Sequence, residues 1–393
     1  VTGTNGKTTV VRLIAHLAKK ANFYVGYATT EGIYSDGQLN YSGDCSGPAS
    51  ARAVLSDPMI DFAVLECARR GILRSGLGFD HCDISIITNV TKDHLGLKGI
   101  ETMEELAQVK GVVAHSTKKN GYAILNADDD LVYDLKNELS CQIALFGLYE
   151  SERIKNHYSH GGLVCYIEND FVVIHHGKSK NHLVKLSDLP ITFNGTATAM
   201  IQNVLPAALA AVISNIPLKE IAEGLMVFRP TSTNLPGRMN VFNFNEFKVM
   251  IDYAHNEGAY KELKTYVSNV SSKRKIGIIG ATGDRRPDDI RKIGSFAAEM
   301  FDEIIIRHDK DGRGKTNQQL TELLLQGILT TKVDAKVKVI SDEFEAIRYV
   351  IDNATPETFV FYSPENVFNA IDFIKKTQKV VKLNQVIDEN YII

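Results

Sequence analysis

Residues 1–17, VTGTNGKTTVVRLIAHL, decide how the rest of this chain is read. Gly3 and Gly6 free the backbone to turn so that successive N–H groups point inward. Lys7 supplies a compact cation, and Thr8 or Thr9 a hydroxyl for a hard metal ion. Val10, Val11, Leu13, Ile14 and Leu17 form one apolar stripe of a helix, whose N-terminus adds partial positive charge to the turn. Together these features describe a phosphate loop, Gly3 to Thr9, leading into a helix. The usual spacing, G-x-x-x-x-G-K-[ST], puts a first glycine where Val1 stands, so the loop is a variant. Such a loop follows a buried strand, of which Val1 and Thr2 would be the remainder. The expectation is a piece of a longer protein, cut before its own nucleotide loop and poorly stable without the missing central strand.

Composition narrows the partners. A chain of 393 residues, 44% of them hydrophobic, fits two or three domains with real cores. A net charge of −3 lacks the basic excess that nucleic acid or an anionic membrane demands, so anion binding must be local. The five cysteines, Cys45, Cys67, Cys82, Cys141 and Cys165, form no C-x-x-C pair. That argues against a disulfide framework or a structural zinc and fits a reducing cytoplasm. No apolar run reaches membrane-spanning length.

From the first helix to about Ile216, apolar segments alternate with helical ones. DFAVLECA, ISIITNV and GYAILNADD read as short buried strands with polar ends, the rhythm of a parallel α/β sheet whose ligands sit at the strands' carboxyl ends. GGLVCYIENDFVVIHHGKSKNHLVKL breaks that rhythm and reads as an antiparallel β insertion. NVLPAALAAVISNI and LKEIAEGLMVF read as helices, and RPTSTNLPGR as the connection between domains. From Val241 a second α/β unit follows, with strands KVMIDYA, KIGIIGA, EIIIRH, KVKVIS and FVFYS. The expected domains are 1–228 and 229–393.

Thr30, Glu66, Asp93 and His94 fall at strand ends of the first domain, where they would converge on the phosphate loop as a Mg²⁺ environment. Taken singly, Glu66 also fits a helix-cap carboxylate and His94 a loop histidine. GIIGATG, residues 277–283, has the glycine spacing of some dinucleotide-binding enzymes. DRRPDD follows it in place of an apolar helix start, which speaks against an oxidoreductase.

The segments TGTNGKTT, LECARRGILRSGL, NVTKDHLG, AQVK, LNADD, PGRMNVF, IDYAHN and GDRRPDDI occur in the order seen in the ATP-dependent Mur ligase family. This resemblance covers essentially the whole chain, and its wording is nearest to the C-terminal, Mur-ligase-like half of the cyanophycin synthetases. Arg70, Glu31 and Cys45 depart from that branch, where glycine, aspartate and asparagine are usual. The resemblance implies a P-loop central domain with a mostly parallel sheet and a small antiparallel insertion. A Rossmann-like α/β C-terminal domain would follow.

The resemblance also implies roles. ATP and Mg²⁺ would be the cofactors, with Gly3, Thr4, Asn5, Gly6, Lys7, Thr8 and Thr9 around the phosphates. Thr8, Glu66 and His94 would be metal ligands. Lys110 matches a lysine that many Mur ligases carbamylate, and Asn203 an adenine-contacting asparagine. Arg238, Asp252 and His255 would reach the nucleotide from the C-terminal domain. A carboxylate would attack the γ-phosphate, and an amine would displace phosphate from the resulting acyl phosphate. In this branch arginine is added to aspartate side chains of a poly-aspartate backbone, with peptidoglycan-precursor or folylpolyglutamate ligases as the alternative. Asp284, Asp288, Asp289, Asp309 or Asp311 would meet the guanidinium, while Arg69, Arg74, Arg285 and Arg286 would steady the acidic chain. An N-terminal ATP-grasp domain and a homo-oligomer are further expectations.

Overall fold

The computed structural model describes residues 1–93, 95–96 and 99–391, those from 381 on by backbone alone. It divides into two compact units, Val1–Arg229 and Pro230–Ile393.

The first unit opens with α1 (Lys7–Lys20), whose apolar stripe is buried, and continues through strands β1 (Val25–Thr29), β2 (Gly32–Ser35) and β3 (Gln38–Ser42). Helix α2 (Pro48–Leu55), strand β4 (Phe62–Leu65), helix α3 (Arg69–Ser75), strand β5 (Cys82–Ile87), helix α4 (Met103–His115) and strand β6 (Thr117–Asn126) follow. Then come α5 (Asp130–Asp134), β7 (Gln142–Tyr149), α6 (Glu152–Ser159), β8 (Leu163–Glu168), β9 (Phe171–His176), β10 (Ser179–Lys185), α7 (Thr198–Ile213) and α8 (Leu218–Val227).

Two sheets result, β3-β2-β1-β4 and β10-β9-β8-β7-β6-β5. Val1 and Thr2 link them: Val1 exchanges backbone bonds with Leu65 and Cys67 beyond β4, and Thr2 with Ile86 and Thr88 at the end of β5. The phosphate loop therefore leaves from a strand position between the two sheets. β5 to β8 run parallel, and their apolar faces build a core from Ile87, Leu125, Leu145 and Val164, joined by Val173 of β9. The segment read as an insertion is antiparallel in β8–β9–β10. It extends the main sheet through β8 rather than standing as a separate one. Its first turn places Asn169 and Asp170 at positive φ, which these two residue types tolerate better than most. Both outer edges are irregular. β3 carries one extra residue, Asn40, between Leu39 and Tyr41, and β10 carries Leu183 between His182 and Val184.

The second unit has strands β11 (Asn240–Phe244) and β12 (Phe247–Ile251), helix α9 (Glu257–Ser268), strand β13 (Arg274–Ile279) and helix α10 (Pro287–Met300). Next are β14 (Glu303–Ile306), α11 (Asn317–Thr331), β15 (Lys336–Val339), α12 (Glu343–Asn353), β16 (Thr358–Tyr362) and α13 (Val367–Tyr391). The order is β11-β12-β16-β13-β14-β15, parallel except for the β11–β12 hairpin. β16 returns between β12 and β13, the kind of reversal that opens a crevice at the carboxyl ends of a doubly wound sheet. Ile251, Ile278, Ile305, Val360 and Tyr362 fill its core. Gly294 on α10 and Gly327 on α11 let those helices touch backbone to backbone.

Candidate nucleotide and ligase site

The parallel pairing of β1 with β4 sets Ala28 opposite Leu65, so Thr30 and Glu66 emerge side by side at the carboxyl end. Helix α1 begins there. Thr8 Oγ1 donates to Glu66 Oε2 at 2.8 Å and lies 3.3 Å from Thr30 Oγ1, while the Thr30 amide reaches the same carboxylate oxygen at 3.3 Å. Glu66 is 3% exposed, a buried carboxylate met by the Thr8 hydroxyl and the Thr30 amide.

The loop before it takes the expected form. Gly3 and Gly6 hold φ of +146° and +87°. A Cβ on Gly3 would collide with Thr88, and one on Gly6 with the Asn203 carboxamide. Lys7 Nζ donates to the carbonyls of Gly3 at 3.1 Å and Thr4 at 2.9 Å, which lays the cation along the loop. Asn203, on the buried helix α7, thus sits against the loop's second glycine.

Lys110 comes from α4 and is 3% exposed. Burial, aided by the charges of Lys7 and Arg69, pushes its ammonium down to about 7, against the pull of Asp93 and Asp129. His94 lies outside the described residues. Arg69 and Arg74 sit on α3, Arg69 partly buried and Arg74 exposed.

In the second unit, Asp252 follows β12. Its Oδ2 accepts the Met239 amide at 2.9 Å, and burial raises its carboxyl to about 6 despite the nearby Arg238. His255 Nδ1 is 2.8 Å from the Tyr253 carbonyl, and the Arg238 guanidinium stands 5.7 Å from the Tyr253 ring centre. Arg238, Asp252 and His255 therefore gather at one end of this sheet.

The carboxylates expected to meet a substrate guanidinium already face arginines of their own unit. Asp289 accepts from Nε and Nη2 of Arg286, each at 2.9 Å, Asp288 pairs with Arg291 at 2.7 Å, and Asp309 forms a buried pair with Arg307. Asp284 lies 3.6 Å from Arg285 and 3.8 Å from Arg313, and Asp311 accepts the Arg313 amide. Sequence spacing gave no sign of Arg307, whose partner is two residues away on the same strand end.

Among the described residues, no three His, Cys, Asp or Glu side chains cluster as a metal site, and no helix is long and apolar enough to cross a membrane.

Comparisons with known proteins agree with this architecture. Residues 1–211 match the Mur ligase middle domain, and residues 237–366 match the Mur ligase, glutamate ligase domain. A cyanophycin synthetase from Nostoc sp. is 43% identical over 95% of this chain. The chain spans 42% of that relative's length, under half. A UDP-N-acetylmuramoyl-L-alanyl-D-glutamate--2,6-diaminopimelate ligase from Geobacillus kaustophilus is 26% identical over 90% of the chain and 70% of its own length. A bifunctional folylpolyglutamate synthase/dihydrofolate synthase solved with Mn, AMPPNP and L-glutamate superposes with a TM-score of 0.69 at 19% identity, over 94% of this chain and 88% of its own. E. coli FolC with DHPP and ADP gives 0.67 at 18% identity, over 99% and 88%. With both of its units matched in order, the chain belongs to the Mur ligase family.

Proposed function

We propose that this chain is the catalytic body of an ATP-dependent amide ligase that activates a carboxylate as an acyl phosphate. The observation that carries the reading is the Thr8–Glu66–Thr30 cluster at the mouth of α1, beside Lys7, with Thr8 and Glu66 buried and Thr30 exposed. Oxygen donors fit a magnesium ion that keeps waters and substrate phosphates as its other ligands. The two glycines let Thr88 and the Asn203 carboxamide pack directly against the backbone of the loop. Thr8 and Glu66 would hold the ion together with His94, and bound magnesium would neutralise charge on the transferring phosphoryl group.

The protein's own residues then have separable tasks. Lys7 would turn from its loop carbonyls to the phosphates, and Asn203 would meet the adenine next to Gly6. Arg238, Asp252 and His255 would serve the phosphates, ribose and base. The substrate carboxylate attacks the γ-phosphorus and ADP leaves. An amine then adds to the acyl carbon, phosphate departs, and one proton is lost as the amide forms. No nucleophile from the protein is needed, so catalysis rests on positioning and charge neutralisation.

For substrate we propose arginine, joined to aspartate side chains of a poly-aspartate chain. The similarity to cyanophycin synthetases supports this, and Arg69, Arg74, Arg285 and Arg286 are the candidate contacts for the acidic backbone. Asp284 and Asp309 would receive the guanidinium only by sharing or exchanging their present arginines. The proposed setting is a longer, homo-oligomeric cytoplasmic enzyme with an ATP-grasp domain ahead of this part.

The test supplies ATP, Mg²⁺, a β-aspartyl-arginine primer ending in aspartate, and each amino acid in turn, and reads the mass added. A gain of arginine supports the reading. A gain of lysine or glutamate alone overturns the substrate and leaves the ligase, and absence of ADP release under every condition overturns the ligase.

A further inference from the structure

The residues just after β5 have no part in the chemistry above, yet they grip the phosphate loop, and LNADD, residues 125–129, holds them in turn. The Asn89 carboxamide pairs with both main-chain groups of one residue: Oδ1 accepts the Asn5 N–H at 2.9 Å, and Nδ2 donates to the Asn5 carbonyl at 3.3 Å. Thr88 Oγ1 donates to that same carbonyl at 2.6 Å. The Asn89 backbone carbonyl accepts the Thr4 amide at 2.9 Å, and Thr4 Oγ1 accepts the Thr91 amide at 3.0 Å.

A second layer holds Asn89's own segment. Asn126 Nδ2 donates to the Thr88 carbonyl at 2.8 Å, and Asp129 Oδ2 accepts the Val90 amide at 2.7 Å while its other oxygen caps α5 through Val132. The chain of contacts runs from the end of β6, through residues 88–91, to the loop that opens α1. The segment bonded to the phosphate loop runs on to Asp93.

We propose that Asn89 is a positioning residue: by clasping the N–H and the C=O of Asn5 it ties together the two peptide units that flank that residue and so fixes the shape of the phosphate loop, with Asn126 and Asp129 as its support. A backbone turn held at φ of +146° and +87° has other accessible shapes, and a side-chain amide that matches N–H and C=O together selects one. The inference rests on reading residues 3–9 as a phosphate loop.

The test measures Mg-ADP and adenosine binding by calorimetry, with thermal melting and the KM and kcat for ATP, on Asn89→Ala, Asn89→Asp, Asp129→Asn and Lys7→Ala. Asn89→Ala is expected to weaken ADP and raise the KM for ATP by about tenfold, the scale of losing a paired hydrogen bond. Adenosine, which has no phosphate, should bind as before, and the melting temperature should hold. Asn89→Asp, which sets an anion against the Asn5 carbonyl, should be worse, and Asp129→Asn milder in the same direction. Unchanged ADP binding in Asn89→Ala overturns the inference, as does equal loss of ADP and adenosine with lowered melting, which marks a merely structural role. Should Asn89→Ala not fold, Asn89→Asp is read by the same criteria. If Lys7→Ala binds ADP normally, the phosphate-loop reading fails and the inference falls with it. Loss in Lys7→Ala without loss in Asn89→Ala removes the inference alone.

Discussion

Among the described residues, the Lys7 ammonium donates only to carbonyls of its own loop, so removing its side chain deletes a cation that carries no ion pair there. Lys7→Ala should abolish ligation and leave the melting curve in place; retained activity would remove the assignment. Lys110 differs, because burial holds its amine down to about 7 and leaves a large neutral fraction near physiological pH. A neutral amine attacks the carbon of CO₂, loses one proton and becomes an anionic carbamate, the modification proposed here for Lys110. ¹³CO₂ should give a carbamate resonance that vanishes in Lys110→Ala and fades on acidification below about 6, and that variant's activity should return with a short carboxylate such as acetate. No resonance and no rescue would leave Lys110 a structural lysine. Asp252 carries its own pH signature. Its folded value, about 6, lies above the ordinary 3.8, so the second unit is favoured by this group below about 4 and loses that favour as pH rises through 6. Asp252→Asn should flatten this part of the melting-temperature profile between pH 4 and 7; an unaltered slope would place the titration elsewhere.

At the scale of elements, close helix packing is the most exposed to a single change. A methyl on Gly327 would run into the Arg291 carbonyl, and one on Gly294 into the Leu324 carbonyl. Gly327→Ala must push α10 and α11 apart, and a loss of about 2 kcal/mol or more in the second unit is expected from denaturant unfolding, despite alanine's better helix propensity. A stabilised variant would show that the helices separate freely. The same elements show what sequence can carry. β5, β6, β12, β13, β14 and β16 announce themselves as apolar runs, because inner parallel strands are buried on both faces, whereas β4 and β15 lie at sheet edges and are largely uncovered. β2 and β3 lack that mark: QLNYS is an edge strand with every residue exposed, and GIYS beside it is buried only at alternate positions. Thr8, Thr30 and Glu66 could be foreseen to meet because each ends or begins an element at one end of the sheet. Asn89 could not, since its partner is a backbone peptide and leaves no trace in residue type.

At the scale of the whole molecule, two units with separate cores make up one chain. Ligand binding stabilises whatever it contacts by mass action, by about 2.7 kcal/mol at a hundredfold excess over Kd. If Arg238, Asp252 and His255 reach the nucleotide as proposed, Mg-ADP should slow amide exchange in both units, around residues 3–9 and around 237–256. Protection confined to the first unit would detach those three residues from the nucleotide and leave the phosphate loop untouched.

The extra residue in each outer strand of the first unit bears on how the protein behaves when concentrated. β3 offers an uncharged edge with Leu39 49% and Tyr41 63% exposed, the composition that invites another chain to add a strand. Asn40 breaks the hydrogen-bond ladder in the middle of it, and Leu183, between Lys180 and Lys185, does the same for β10. These irregularities work as solubility devices: deleting Asn40 would straighten a sticky edge, and self-association would rise with protein concentration although no residue of the ligase site had moved.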